Sequence, residues 1–401
     1  MKLFTNDREA VFVRRPNRFL IIARDGEEEL PCHCPNPGRL IEFALPGTRL
    51  ILERRRFDKP RSGSAPKTGW TAAGLYYRNA VVPLFSSRAN QAAEKLILKN
   101  LIPGLREITP EYTIGSSRFD FLCTGEGGSR HLVEVKACSL IEYGTAMFPD
   151  APSGRARKHL EELADLSERG FRCHVLFVIV HSRPRVFIPN LHTDPLFAAA
   201  LSRLAGKVEV HGALLRCDPA GEAVLAAKSV PVDLSHGELA ERDCGNYLIL
   251  GELREGEAPA SGFRPGWYVY AGSAPQDLSR RVNRYLRRGR RGGQDGLENL
   301  IRKGGGVLKS FPIFSYRDLS RELWAALEAL GGEGVPGFAL PEAPHRSRLH
   351  YFSHPPLADR NFVDTLLRFR HREGLQRPGQ EFYEENEPRK TRRDAKKRKT
   401  E

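Results

Sequence analysis

The run Ser116-Ser117-Arg118-Phe119-Asp120-Phe121, followed by Val133-Glu134-Val135-Lys136, sets Asp, Glu and Lys at spacings that suit metal-dependent phosphodiester hydrolysis. Successive side chains of a strand alternate faces, so Glu134 and Lys136 share one side while Val133 and Val135 take the other. The stretch around Asp120 also reads as a strand, and Gly125, Gly127 and Gly128 supply the turn of a hairpin. Asp120 and Glu134 are then expected to converge. Two carboxylates suit Mg²⁺ or Mn²⁺, hard cations that take oxygen ligands, and such a cation polarises phosphate and activates water. Lys136 would orient that water and offset developing charge. The competing reading of Glu-x-Lys is a solvated charge pair on a half-exposed strand.

These residues need elements to position them. Ala89 to Leu98 has helical spacing and offers Glu94 as a third carboxylate, or as an ordinary solvated helix charge. After the Glu-x-Lys strand come Phe148-Pro149-Asp150-Ala151, then a helix carrying Lys158, His159, Leu160, Leu163 and Leu166 that stops at Gly170. Lys158 and His159 fall near its N-terminus, where backbone N–H groups favour phosphate. Phe171 to Val180 is a nearly continuous apolar strand of the kind found mid-sheet. The order helix, strand, strand, helix, strand implies an α/β core.

Upstream, Ala10–Phe12, Phe19–Ala23 and Thr48–Leu52 are short β-like runs punctuated by turn residues. Asn17, Arg18, Asn36 and Arg39 lie close to Pro or Gly, where side chains and backbone can approach a sugar-phosphate chain; turn chemistry explains them nearly as well. Arg54 to Lys67 reads as a flexible basic loop.

Several spaced motifs in order resemble the sugar fermentation stimulation protein A family over roughly residues 1–230. They are Arg15-Pro16-Asn17-Arg18-Phe19, His33-Cys34-Pro35-Asn36-Pro37-Gly38-Arg39, Ser117-Arg118-Phe119-Asp120-Phe121, Glu134-Val135-Lys136, Phe148-Pro149-Asp150-Ala151 and Lys158-His159-Leu160. The resemblance implies an OB-like β-barrel over 1–80 and a PD-(D/E)xK restriction-endonuclease-like α/β domain over 81–230. It also implies DNA binding linked to maltose and other sugar metabolism. Asp120, Glu134 and Lys136 then fall on the nuclease signature, with Glu94 as the helix carboxylate and Asp120 and Glu134 holding the metal. Pro37 stands where the family usually has Thr, and Ala156 replaces a usual Gly.

The 401 residues suggest two or three domains, and 40% hydrophobic content is enough for packed cores. No apolar run approaches the ~20 residues of a transmembrane helix, and the amino terminus lacks a signal-peptide core, so a cytoplasmic protein with no membrane partner is expected. Seven scattered cysteines fit free thiols; Cys32-His33-Cys34 has the wrong spacing for a zinc finger.

The formal charge of +14 is concentrated late in the chain: seven arginines and no acid lie between Arg280 and Arg291, and eight Lys or Arg against two acids lie between Pro388 and Glu401. Such clusters attract phosphates non-specifically, and 374–401 reads as a disordered basic tail. A linker is expected at 231–243, followed by a further domain over 244–373. There Leu278, Val282, Tyr285 and Leu286 recur at helical spacing while Arg280, Arg281 and Arg284 cover the other side.

Gly245-x-Tyr247, Tyr268-Val269-Tyr270-Ala271-Gly272-Ser273-Ala274 and Leu278-x-x-Arg281-Val282-x-Arg284 resemble the GIY-YIG-like α+β domain of prokaryotes. By position this implies Tyr247, Tyr270 and Arg281 as site residues, with Glu322 as a fourth. Tyr285 stands where His is usual, so this domain is expected to bind nucleic acid rather than cut it, with His345, His350 and His354 at the surface. The expected partner is nucleic acid, DNA ahead of RNA; a non-catalytic regulator and an RNA or nucleoprotein adaptor are the alternatives. Cutting both strands with one such site favours a homodimer.

Overall fold

The computed structural model describes residues 1–55, 68–181, 184–256, 263–286, 307–340 and 343–378. Most of the basic loop at 54–67, Arg287 to Arg291 and the tail beyond Pro378 lie outside them.

Strands β1 (Arg8–Asn17), β2 (Leu20–Asp25), β3 (Glu28–His33), β4 (Arg49–Arg54) and β5 (Trp70–Tyr77) pair in the order β3-β2-β1-β4-β5. Parallel pairing of Cys32 with Trp70 and His33 with Thr71 closes them into a five-stranded barrel. Alternate residues point inward: Ala10, Phe12, Ile21, Ala23, Leu50, Leu52, Ala72 and Leu75 make one buried cluster. The three expected runs all fall on strands: β1 starts two residues earlier and ends five later, while β2 and β4 each start one residue later and end two later.

Strand β6 (Ala80–Pro83) leads out of the barrel to α1 (Arg88–Ala92), which runs through a π-turn at Ala93–Ile97 into α2 (Leu98–Leu101). There follow β7 (Glu107–Ile114), β8 (Ser117–Thr124), β9 (Arg130–Cys138), β10 (Leu140–Glu142), β11 (Thr145–Phe148) and α3 (Gly154–Ser167). Next come β12 (Arg172–Val180), β13 (Val186–Pro189), α4 (Pro195–Leu204), β14 (Val208–Cys217) and β15 (Ala223–Val230). β9, β12 and β14 are parallel, with β12 in the middle, which explains its unbroken apolar run. One sheet face is covered by α1 and α2 through Ala89, Ala92, Ile97 and Leu98 against Val133, Val135, Leu176 and Val178. The other is covered by α3 and α4 through Leu160, Leu163, Phe197 and Leu201. Cys217 pairs with Val81, so barrel strands and α/β sheet join edge to edge.

The segment expected as a linker is structured. It holds α5 (Gly237–Arg242), whose Leu239 and Ala240 pack beside Leu191 and Ala198, because that stretch carries apolar residues on one helical face. The C-terminal domain contains β16 (Gly245–Leu253), β17 (Gly266–Ala274), α6 (Leu278–Leu286), β18 (Val307–Phe314) and α7 (Ser320–Ala329). It continues with β19 (Glu333–Gly334), β20 (Ala339–Leu340), β21 (Ala343–Ser347), β22 (Leu349–Phe352) and α8 (Arg360–Arg368). Its sheet order is β18-β16-β17-β22-β19, with α6 on one face and α7 and α8 on the other.

This domain packs against the rest. Leu140, Met147, Ile188 and Leu191 share a cluster with Tyr247, Ile249 and Tyr270, and His192 Nδ1 accepts the Phe314 N–H at 3.0 Å. Arg360 donates to the Glu42 carbonyl at 2.7 Å. All seven cysteines are buried free thiols. Among the described residues no helix is long and apolar enough to cross a membrane.

Candidate active site

Strands β8 and β9 pair antiparallel from Thr124 with Arg130 to Phe121 with Val133 and stop there. Beyond that point β9 keeps its parallel pairing to β12 out to Cys138 and Ile179. The sheet therefore forks, and Asp120 and Glu134 stand at the fork. Asp120 Oδ2 accepts the Val135 N–H at 2.7 Å, so a carboxylate does what a ladder carbonyl would otherwise do. Its Oδ1 accepts from the Asn90 amide of α1 at 2.6 Å. Strand β8 twists at this residue: Phe119 and Phe121 pack into different clusters instead of one, and Glu111, across from Asp120, has φ of 53°.

Glu134 is 4% exposed. Its Oε1 accepts from Lys136 Nζ and lies 2.7 Å from His159 Nδ1 on α3. Its Oε2 is buried and has no partner. Burial and the Glu134 charge raise the Asp120 carboxyl above its ordinary range, against the Val135 N–H, Lys136 and Asn90. Burial also pushes Glu134 up, but the hydrogen bond to His159 and the charge and hydrogen bond of Lys136 outweigh it and hold the carboxyl low. Neighbouring carboxyls driven in opposite directions are the pattern of a site with divided acid and base tasks. The chemistry of the set fits a hard divalent cation: a second carboxylate beside an ionised one, with a buried oxygen unmatched by any proton donor.

Asp120, Glu134 and Lys136 are thus brought together as expected. Glu94 is not. It is exposed, one turn past Asn90 and without a described hydrogen bond to either carboxylate, and Asn90 supplies the contact from the helix. Helical spacing gives both positions, and only the packing of Ala89, Ala92 and Ala93 decides which faces the sheet. Helix α3 starts at Gly154 with Ser153 as its cap, so Lys158 and His159 sit in the second turn, past its free amides. His159 is buried against Glu134, while Lys158 is exposed and pairs with Glu162 at 3.5 Å.

In the barrel, Asn17 and Asn36 make turns, accepting the N–H groups of Phe19 and Gly38, both at 2.9 Å. Arg18 and Arg39 are exposed. Arg15, not foreseen as a site residue, clamps this loop by donating to the carbonyls of Arg18, Asn36, Gly38 and Arg39. A Cβ at Gly38 would fall inside the Asp150 carboxylate, so two motifs 112 positions apart meet here. Burial raises Asp150, with Arg15 and Arg39 opposing. The Asp150 charge in turn reaches Cys138, which follows Glu134 and Lys136 on the same face of β9. The barrel loop with Arg39 therefore lies beside Asp150, whose charge reaches the far end of β9.

In the C-terminal domain Tyr247, Tyr270 and Tyr285 gather with centroids 5.9–6.2 Å apart. Burial and its two tyrosine neighbours push the Tyr247 hydroxyl far up, with Arg281 opposing. Glu322 is not part of this group. Its helix α7 packs on the other sheet face, and its carboxylate pairs with Arg317. Arg280, Arg281 and Arg284 lie on the exposed side of α6, as the spacing predicts. His354 is exposed, but His350 is fully buried on β22, since inward strand positions take whatever residue the register assigns. The side chain of His345 lies outside the described residues.

Known proteins match the first part of this chain. Residues 13–83 match the model of the SfsA N-terminal OB domain, and residues 87–221 that of the sugar fermentation stimulation protein RE domain. A sugar fermentation stimulation protein homolog of Pyrobaculum neutrophilum is 35% identical over 229 residues, 57% of this chain and 94% of that protein. The chain belongs to the sugar fermentation stimulation protein family. The Thermotoga neapolitana homolog is 38% identical over 192 residues, 48% of this chain and 80% of its own. Among solved structures, Pyrococcus furiosus SfsA in complex with Ca²⁺ is similar with a TM-score of 0.51 and 29% identity, over 58% of this chain and 99% of that one. The family models end at residue 221, ahead of the C-terminal domain.

Proposed function

We propose that this protein hydrolyses phosphodiester bonds in nucleic acid, DNA ahead of RNA, at a PD-(D/E)xK-type site in the RE domain. The observation that carries this reading is the forked sheet at Asp120 and Glu134, with the unpartnered Glu134 Oε2 beside Lys136. Asp120 and Glu134 Oε2 would hold a divalent cation, Mg²⁺ or Mn²⁺ in the cell. The complex of the Pyrococcus furiosus protein with Ca²⁺ supports a hard-cation site in this fold. A bound cation there supplies Lewis-acid polarisation of the phosphate and a water of lowered pKa. Asn90 and the Val135 N–H fix the Asp120 carboxylate, and His159 fixes Glu134 from the far side. Lys136 stands ready to leave Glu134 for the attacking water or the phosphate oxygens, where its charge offsets what develops in the transition state.

The barrel suits a single-stranded or locally opened substrate, with Arg18 and Arg39 exposed for its backbone. The C-terminal domain, built on a GIY-YIG-like pattern, offers the basic side of α6 through Arg280, Arg281 and Arg284 as a second phosphate contact and does no cutting itself. A non-catalytic DNA-binding regulator of sugar metabolism is the second reading. It is favoured by the occupation of Glu134 Oε1 by both Lys136 and His159 and by the relatives' name.

The deciding experiment incubates labelled single- and double-stranded DNA and RNA with Mg²⁺ or Mn²⁺, using the protein, Glu134→Ala and Lys136→Ala. Cleavage lost in both variants supports the nuclease. Binding without cleavage, unchanged by either substitution, sinks it in favour of the regulator.

A further inference from the structure

The sheet that carries Glu134 and Lys136 on one face carries a second, chemically different cluster on the other. β12 and β14 run parallel with His174 opposite Glu209 and Leu176 opposite His211, so His174, Glu209 and His211 project from the same face. That face is the one lined by Val133 and Val135, away from Glu134. Among the described residues these three form the one group of three or more His, Cys, Asp or Glu side chains whose ligating atoms come within 4.8 Å of one another.

We propose that His174, Glu209 and His211 bind a transition-metal ion of the Zn²⁺ type, with the fourth coordination position open to water. His174 Nδ1 lies 3.1 Å from His211 Nε2. Glu209 Oε2 lies 3.6 Å from the first nitrogen and 3.7 Å from the second. A tetrahedral centre with bonds of 2.0–2.1 Å sets its ligand atoms about 3.3–3.4 Å apart, so the triangle needs shifts of a few tenths of an ångström. Both carboxylate distances exceed hydrogen-bond length. Glu209 Oε2 therefore points between two ring nitrogens while bonding neither, as it would around a shared cation. Arg172 holds the other oxygen, Oε1, at 2.8 Å and so fixes which oxygen faces the rings.

The surrounding hydrogen bonds match the proton count of a metal-bound His174. With its Nδ1 given to the ion, Nε2–H donates to His131 Nδ1 at 2.9 Å. His131 Nε2–H then donates to Ser129 Oγ at 3.0 Å, and that hydroxyl donates to the Glu126 carbonyl at 2.9 Å. Every link carries one proton and every acceptor is filled. An outer partner that fixes the tautomer and ring plane of a ligating histidine is a general property of metal centres. The His174 ring is buried, while His211 and Glu209 have side-chain exposures of 27% and 45%, so one side of the triangle faces solvent. Two imidazoles and one carboxylate suit Zn²⁺, Co²⁺ or Ni²⁺ and discriminate against Mg²⁺. Because the ligands come from two strands, and His131 joins the third, the ion would tie together the starts of β9, β12 and β14.

The test uses tag-free full-length protein, stripped with chelator, loaded with Zn²⁺ or Co²⁺ and desalted. Metal is counted by mass spectrometry and Co²⁺ geometry read from its visible absorption. The expected result is one retained Zn²⁺ per chain, with intense tetrahedral Co²⁺ bands that excess Mg²⁺ does not remove. The Asp120→Ala/Glu134→Ala variant should retain the ion, which separates this site from the proposed active site. His211→Ala should bind at least 100-fold more weakly, and the exposed Glu209→Gln roughly tenfold more weakly, both with circular dichroism unchanged. His131→Gln should fall about 10–100-fold. Folded wild-type protein that retains no Zn²⁺, or retention equal in His211→Ala and Glu209→Gln, would overturn the proposal and leave a hydrogen-bonded histidine row.

Discussion

The Asp120–Glu134 fork and the Tyr247–Tyr270–Tyr285 cluster both bury ionisable groups against a sheet, and they differ in what the burial leaves unmatched. At the fork a carboxylate oxygen is buried without a donor, beside a lysine and a histidine. In the tyrosine cluster the rings pack on one another and on Leu278 and Val282, and the expected carboxylate, Glu322, is on the far side of the sheet. The first arrangement stores unfavourable electrostatics that a cation would relieve. The second is core packing that any fold of this kind needs. A pattern of motif residues is therefore not enough; the discriminating sign is an unmet charge.

The comparison is broken most directly by activity. Glu134→Ala should lower cleavage by on the order of 10³-fold, since it removes both a cation ligand and the anchor of Lys136 and His159. Tyr247→Phe and Tyr270→Phe should stay within about twofold of the parent. Equal losses in both sets, measured on one labelled substrate under single turnover, would place the chemistry in the wrong domain.

Stability should rank the two regions the other way. Tyr247 is among the largest fully buried side chains, and truncating it to Ala should cost about 3–5 kcal/mol. Glu134→Ala should cost less in cation-free buffer, because relief of the neighbouring Asp120 carboxylate offsets part of what Lys136 and His159 lose with their partner. Urea unfolding of both variants checks the inversion.

A third measurement sharpens what the fork lacks. The Asp120 carboxyl lies above its ordinary value of 3.8 through burial and Glu134. Its ionised form therefore weighs against folding at neutral pH, and this penalty fades as pH falls through the raised value toward 3.8. Glu134, held below its ordinary 4.5, has the opposite sign: its contribution is present above 4.5 and is lost as pH falls through the lowered value. Asp120→Asn keeps an oxygen for the Val135 N–H, and Asn90 can turn its amide over to accept. This variant should melt higher than the parent at pH 7 without cation, with the gain shrinking toward pH 4. It should also lose the stabilisation by Ca²⁺ or Mg²⁺, about 2.7 kcal/mol when the cation is at 100 times its Kd. A parent protein whose melting temperature ignores both cations would sink the site.

How much of this was legible in the sequence follows from the range of each interaction. Alternation along Val133 to Lys136 fixed which residues share a face, and the apolar run at Phe171 to Val180 announced a central strand, because both depend on nearest neighbours. The convergence of Asp120 with Glu134 needed only a hairpin. Asn90 in place of Glu94, the separation of Glu322 from the tyrosines, and the burial of His350 depend on which helix or strand face meets the sheet, and spacing along one element does not say. Gly38 against Asp150 lies further still from local pattern, since it joins the barrel to the RE domain. The histidine row was invisible for the same reason: His131, His174 and His211 are about 40 residues apart and meet only through the register of three parallel strands.

The smallest expected effect concerns binding rather than chemistry. Arg39 is exposed on the barrel loop beside Asp150, and Arg281 and Arg284 are exposed on α6 in the other region. If one nucleic acid spans both, Arg39→Ala and Arg281→Ala should each weaken binding a few-fold and lower the slope of log K against log salt by about one. If the two regions serve different molecules, cleavage of a short duplex or single strand will respond to Arg39→Ala alone, while Arg281→Ala will act only on longer substrates. The length at which the second variant begins to matter then measures the path from the fork to α6. A response of neither slope to either substitution would mean that the exposed arginines face water, and that phosphate contact comes from Lys136 and the bound cation by themselves.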